Sequence, residues 1–265
     1  MNEEQYIERK DEPFGAHTPL RCGGKAKRWI WVYSEDALKE TVLHLKQHRE
    51  PWIVHWPFQD ILCKNGGYEG TVIRLAGSFS RISYHQESVV LGSAALWSQL
   101  TLGYDRAFGL WSGSVGGLFA QKEEALLNSH PIKLRWLRGK KIIEEEVQPK
   151  QSSLWNKKNC VLLSIEIFGS PRKRKFLPTK SGMIYKTAAK IDVKDVFQKH
   201  QLTGIRLKDW LLCRQSPGRI LQLGSGSTKE LLLLSQGIKE RIKKIGGNSI
   251  ALRIPLIGKE NKIDV

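Results

Sequence analysis

The sequence predicts an α+β protein of two or three lobes. Three observations predict it: a strand–helix–strand–strand order with short links near the start, a run of strands and glycine-rich turns in the middle, and a strand–helix–strand unit at the end. A length of 265 residues suits one large domain or two ordinary ones and can bury a sizeable core. The expected layout is a flexible leader over 1–16, a first domain over 17–169 in two lobes split near 76, an α/β lobe over 176–258 and a tail over 259–265.

The leader is expected because Glu3, Glu4, Glu8, Asp11 and Glu12 crowd a segment with few apolar groups. Trp29–Tyr33 then reads as a strand. Ser34 suits a helix N-cap, with Glu35 and Asp36 at the positive end of the dipole. Leu38, Val42 and Leu45 recur at helical spacing, and Pro51 stops the helix. Trp52–His55 and Thr71–Leu75 follow as strands, the second after the turn residues Asn65-Gly66-Gly67. Ser88–Ser93 reads as a strand and Ala94–Ala107 as a helix, followed by Gly109, Gly113, Gly116 and Gly117. Leu134–Leu137 and Ile142–Val147 flank a hairpin turn, and Cys160–Phe168 is a long apolar strand. The break at Gly169-Ser170-Pro171 with its basic run to Lys175 marks the expected domain boundary.

Ile220–Leu223 reads as a strand that ends at Gly224-Ser225-Gly226. Ser227 with Glu230 three residues on forms a capping box. The helix beyond carries Leu231, Leu234, Ile238, Ile242 and Ile245 on one stripe and Lys239, Arg241, Lys243 and Lys244 on the other. Gly246-Gly247 closes it, and Ser249–Ile257 returns as a strand, with Pro255 pointing to an edge or a bulge.

An apolar share of 40% with 26% charged residues is globular, which excludes a disordered or collagen-like chain. No apolar run approaches the roughly 20 residues of a membrane span, and nothing near Met1 resembles a signal peptide. Cys22, Cys63, Cys160 and Cys213 are scattered, as expected of reduced thiols in a cytoplasmic protein. The formal charge is +17. Residues 133–265 hold 29 Lys and Arg against 11 Asp and Glu, whereas residues 1–132 hold 14 against 15. The basic half would attract nucleic acid, anionic lipid or a phosphorylated metabolite, or simply serve solubility.

Few motifs point to chemistry. Gly224–Lys229 resembles a phosphate loop but lacks its spacing, and capping already explains Ser227. His44 and His48 lie one helical turn apart with no third ligand at suitable spacing, so no metal is expected. No nucleophile elbow is present. Trp29, Trp31, Trp52 and Trp97 are expected in the core, with Trp56, Trp155 and Trp210 unassigned.

In order and spacing these pieces resemble the UDP-N-acetylenolpyruvoylglucosamine reductases (MurB), which make UDP-N-acetylmuramate for peptidoglycan on a flavin-binding fold of the vanillyl-alcohol-oxidase (PCMH) type. The family's N-T-x-x-x-G-G-x-A is similar to His17–Ala26, allowing one residue of slack. Its G-x-G-S-N-L-L, acidic loop and G-x-V-I segment is similar to Trp56 through Ile73. Its P-G-[ST]-V-G-G resembles Ser112–Gly117, and its C-terminal lobe resembles Leu202 through Gly258. The resemblance implies a MurB-like fold: an FAD-binding-type domain of two α+β lobes over 17–169, and a MurB C-terminal-like α/β lobe over 176–258.

The family's functional positions are occupied differently. Its first glycine loop offers backbone amides to the FAD pyrophosphate; here it reads Trp56-Pro57-Phe58-Gln59-Asp60, with bulky rings, an imino acid and a repelling carboxylate. Its N-a-G-A falls on Lys122–Ala125, so only Gly113, Ser114, Val115, Gly116 and Gly117 remain as a phosphate-facing turn. The serine acid that protonates the substrate carbon falls on Met183, which has no proton to give. The arginine and glutamate that stabilise the enolate-like intermediate fall on Gln151 and Arg253. General acid–base groups contribute about 10²–10⁴-fold each.

These departures imply a catalytically inactive MurB-like protein without FAD, leaning away from an enzyme towards a binding, scaffolding or regulatory role linked to peptidoglycan synthesis. Its partner would be a UDP-sugar, a cell-wall or division protein, or an anionic surface. Two alternatives stand beside this. One is an active FAD-dependent UDP-N-acetylmuramate dehydrogenase using NADPH, in which Ser152, Ser153 or Ser181 supplies the proton and Lys186 stabilises the enolate. The other is a basic anion- or nucleic-acid-binding protein.

Overall fold

The computed structural model describes residues 6–59, 61–100, 113–120, 132–147, 160–168, 185–187, 193–213, 218–244, 250–252, 254 and 256–259. The chain divides into two compact units. The first comprises Met1–Glu12, Ala26–Gln59 and Glu69–Thr179; the second comprises Pro13–Lys25, Asp60–Tyr68 and Lys180–Val265. The second unit thus takes two N-terminal segments that the sequence reading assigned to the leader and the first domain. Residues 169–184, where the boundary was expected, lie outside the described residues.

The first unit holds two sheets. In one, strands β1 (Tyr6–Pro13), β2 (Lys25–Val32), β5 (Tyr68–Leu75) and β3 (Trp52–His55) lie in the order β1-β2-β5-β3, with β3 and β5 parallel. The flexible leader expected over 1–16 is therefore corrected: from Tyr6 it is an edge strand. Its charges are compatible with that because Glu8 pairs with Arg28 and Arg9 stacks 5.5 Å over the Trp31 ring. Helix α1 (Glu35–Gln47) starts where expected, the Ser34 side chain accepting from the Ala37 amide, and buries Leu38, Val42 and Leu45. They pack with Ile30, Val32, Ile73 and Leu75.

The second sheet of this unit is antiparallel in its described pairings. It runs β6 (Ile82–Tyr84), β7 (Ser88–Gly92), β10 (Cys160–Phe168), β8 (Ile132–Arg138) and β9 (Lys141–Val147). The hairpin predicted around Arg138–Lys141 is present, with Gly139 at φ 64°. Its core face joins Leu91, Leu134, Trp136, Leu162 and Ile165 to Trp97, Val115 and Leu118. The helix expected over 94–107 is shorter in what is described: α2 spans Trp97–Leu100, and 101–112 lie outside. Ala94 and Ala95 lie before it, where Ala95 N bonds Gly92 O and Ala94 N bonds Phe79 O. Helix α3 (Val115–Ala120) follows the glycine turn.

In the second unit, α4 (Val193–Lys199) and the long α5 (Thr228–Lys244) pack with the meander β12 (Arg206–Leu207), β13 (Trp210–Leu212), β14 (Ile220–Gln222). Leu231, Leu234, Ile238 and Ile242 form the predicted buried stripe; Ile245 lies outside the described residues. The single final strand expected over 249–257 is two short ones. β15 (Ile250–Leu252) pairs with β11 (Tyr185–Thr187), and β16 (Leu256–Ile257) pairs in parallel with β4 (Leu62–Cys63). Among the described residues no helix is long and apolar enough to cross a membrane.

Candidate functional site

The site is built from two turns of the first unit. One follows β3, where the polar backbone of Trp56-Pro57-Phe58-Gln59 must close a tight reversal. It does so internally: Gln59 N donates to Trp56 O (3.1 Å), and Trp56 N donates to Gln59 Oε1 (3.1 Å). Gln59 is thereby buried at 3% exposure, while Phe58, at φ 57°, turns its ring outward at 60%. Phe58 therefore does not fill the cradle, contrary to the sequence expectation; backbone reversal sends it to the surface.

The second is Gly113 to Gly117, a turn at Gly113-Ser114 that runs into the first residues of α3. Gly113 has φ 116°, a conformation glycine adopts without strain. Trp97 N donates to Gly113 O (3.0 Å), Val115 N to Ala95 O (3.0 Å) and Gly116 N to Ser93 O (2.7 Å). Gly117 N donates to Ser114 Oγ (3.2 Å) and Leu118 N to Ser114 O (3.0 Å). The four consecutive amides from 115 to 118 are thus all engaged within the protein.

The two turns meet. The Trp56 indole lies on Gly116 so closely that a methyl group there would come within 2.3 Å of Nε1. On Gly117 the neighbours would be Ser114 Oγ at 2.9 Å and Gln59 Cβ at 3.4 Å. Trp56 packs into both cores of the unit, which accounts for one tryptophan the sequence left unassigned. Its Nε1, like the Ser93 hydroxyl, is buried and finds no hydrogen-bond acceptor among the described residues. A diphosphate held by this pair of loops needs empty space and outward amides. Trp56 takes the space, the 115–118 amides are committed, and Pro57 has no N–H. The residues present do not fit a flavin diphosphate bound in that manner.

The remaining singled-out positions, Asp60, Gln151, Met183 and Arg253, lie outside the described residues, as does Trp155. Trp29, Trp97 and Trp210 are fully buried; Trp31 and Trp52, expected in the core, are only half-buried. His44 and His48 stand with ring centroids 4.2 Å apart, and no group of metal ligands occurs among the described residues. In the second unit Cys22 and Cys63 are buried thiols around Thr228, whose hydroxyl donates to Cys63 O (2.8 Å). Burial pushes the Cys63 thiol up to about 12 and also raises that of Cys22, the reverse of an activated nucleophile. Sequence reasoning missed the Ser93 and Ala95 carbonyls that occupy the turn amides, because a main-chain acceptor leaves no side-chain signature.

No family model matches the chain. A UDP-N-acetylenolpyruvoylglucosamine reductase of Alkaliphilus oremlandii is 21% identical over 290 residues, covering 94% of this chain and 93% of the relative. That of Clostridioides difficile is 30% identical over 123 residues, 43% of this chain and 40% of the relative. The crystal structure of MurB from Thermus caldophilus superposes with a TM-score of 0.68 at 17% identity, covering 95% of this chain and 98% of that one. Scaffold and near-full-length sequence likeness agree. The chain is a divergent MurB-like protein.

Proposed function

We propose that this protein is a non-catalytic relative of the MurB reductases, acting as a binding or scaffolding component linked to peptidoglycan synthesis. The observation that carries this reading is the Trp56 indole seated on Gly116, where the phosphate-facing turn would need to stay open. Replacement of the serine acid by Met183, of the arginine by Gln151 and of the glutamate by Arg253 supports it from the sequence. Retained binding would be towards a UDP-sugar, for which the basic C-terminal half supplies charge.

Two measurements test it. Purified protein passed through gel filtration is expected to carry no flavin absorbance, and to consume no NADPH when given the enolpyruvyl UDP-sugar and added FAD. A retained yellow spectrum with NADPH turnover establishes the other reading, a working reductase with divergent groups. That reading draws on the match along nearly the whole length of named reductases. Calorimetry with UDP-N-acetylglucosamine reads the sugar-binding element separately, since a binding heat without turnover is expected.

A further inference from the structure

The second unit carries a sheet face with exposed leucines and arginines. In the β12–β13–β14 meander Arg206 stands opposite Leu211, and Leu211 opposite Leu221, so the three form one row across the sheet. Arg219 and Leu223 flank Leu221 at a spacing of two and share its side. The other side is core, with Trp210, Leu212 and Ile220 buried among Leu231, Leu234 and Ile238. On the outer side Leu221 is 37% and Leu223 51% exposed, Arg206 and Arg219 are exposed, and Leu211 is half-buried.

The acids bordering this face are already engaged. Asp209 Oδ2 accepts from Ser225 N (3.1 Å), and Glu230 pairs with Lys208 at 2.6 Å. Among the described residues no carboxylate pairs with Arg206 or Arg219, and both face outward. The whole unit is basic, with 20 Lys and Arg against 8 Asp and Glu.

We infer that this face docks the protein on an anionic lipid surface, with the arginines at the headgroups and Leu221 and Leu223 entering the interface. The chemistry favours lipid over nucleic acid. Strand-binding platforms stack bases on aromatic rings, and the aromatic residue of this meander, Trp210, is fully buried on the opposite side. It favours lipid over a protein segment because exposed leucines here stand beside exposed arginines, and a fluid surface takes such a mixture without needing a matching shape. The inference stands whether or not the chain turns over substrate.

The test is co-sedimentation of the full chain with vesicles of equal parts phosphatidylglycerol and phosphatidylcholine, against pure phosphatidylcholine. Pelleting with the anionic vesicles alone is expected. Arg206→Glu and Arg219→Glu should each cut partitioning about fivefold or more, the worth of one basic residue near such a surface. Leu221→Ser with Leu223→Ser, which leaves the charge untouched, should weaken binding further. The control Arg138→Glu makes the same change of charge in the other unit and should leave binding nearly unchanged. All of these positions are exposed or lie in turns, so the fold persists in every variant. Absence of pelleting overturns the proposal, as does equal loss in the charge-matched control. Tight binding to single-stranded DNA with no vesicle affinity overturns it in favour of a nucleic-acid partner.

Discussion

The indole of Trp56 rests on the backbone of Gly116, its Nε1, Cδ1 and Cε2 at 2.3, 2.4 and 2.6 Å from where a methyl group at residue 116 would lie. An indole cannot fold aside as a flexible chain end can, so Gly116→Ala forces the ring or the turn to move, costing about 3 kcal/mol. Trp56→Ala leaves a cavity between two cores and costs a similar amount, roughly 3 kcal/mol. In the double variant the new methyl enters the vacated space. The two losses should then fall short of their sum by about 2 kcal/mol. Urea midpoints for the four proteins measure this, and additive losses would show that ring and turn do not touch.

At the start of α5 the capping box is closed in both directions. Glu230 N donates to Ser227 Oγ (3.3 Å), and Ser227 N donates to Glu230 Oε2 (2.9 Å). Ser227→Ala should cost about 1 kcal/mol. The Lys208 ammonium, with the Ser227 donors, holds the Glu230 carboxyl below its ordinary value. A carboxyl depressed in the folded state binds its proton first in the unfolded chain. Its contribution is therefore complete above the ordinary carboxylate range and fades as pH falls through the folded value. Glu230→Gln should flatten the acid limb of a stability–pH profile, and an unchanged limb would count against the pairing.

How much of this was legible depended on whether a signal was carried by a side chain. Ser34, Ser227 and the stripe Leu231, Leu234, Ile238, Ile242 announced themselves because caps and helical periodicity are local. The edge strand from Tyr6 did not, since a strand exposed on both faces has no apolar alternation and reads as a solvated leader. The two-segment origin of the second unit was invisible too. Leu20, Cys22 and Leu62 join the core of α5 across more than 150 residues of sequence, which no window can detect. At the site, the bulk of Trp56 and the missing N–H of Pro57 were readable from the residues themselves. That Phe58 turns outward, and that three carbonyls and the Ser114 hydroxyl hold the 115–118 amides, required the backbone.

The buried thiols make a third expectation. Cys22 and Cys63 are 6% and 0% exposed, whereas Cys160 and Cys213 are partly open. At mildly alkaline pH a thiol reagent should modify the latter pair first. Modification of the former should proceed only as fast as the second unit opens, and saturate to full labelling in denaturant. Because the folded Cys63 thiol is pushed up to about 12, the unfolded chain ionises first as pH rises. Stability contributed by the protonated thiol is thus lost progressively above the ordinary thiol range. Cys63→Ala should show a shallower alkaline decline, and rapid native labelling of Cys63 would contradict its burial.

Gly237 sits inside α5 on the exposed side, and a methyl group placed on it meets nothing within 4 Å. Its backbone is helical, with no positive φ to protect. Glycine there costs backbone entropy that alanine does not, so Gly237→Ala should stabilise the protein by about 1 kcal/mol. For a chain of this size that raises the melting temperature by roughly 2–4 °C. Scanning calorimetry at two protein concentrations decides between the open helix face and a covered one. A gain independent of concentration matches the open surface, whereas a loss that grows with concentration would mean a second copy packs against the glycine.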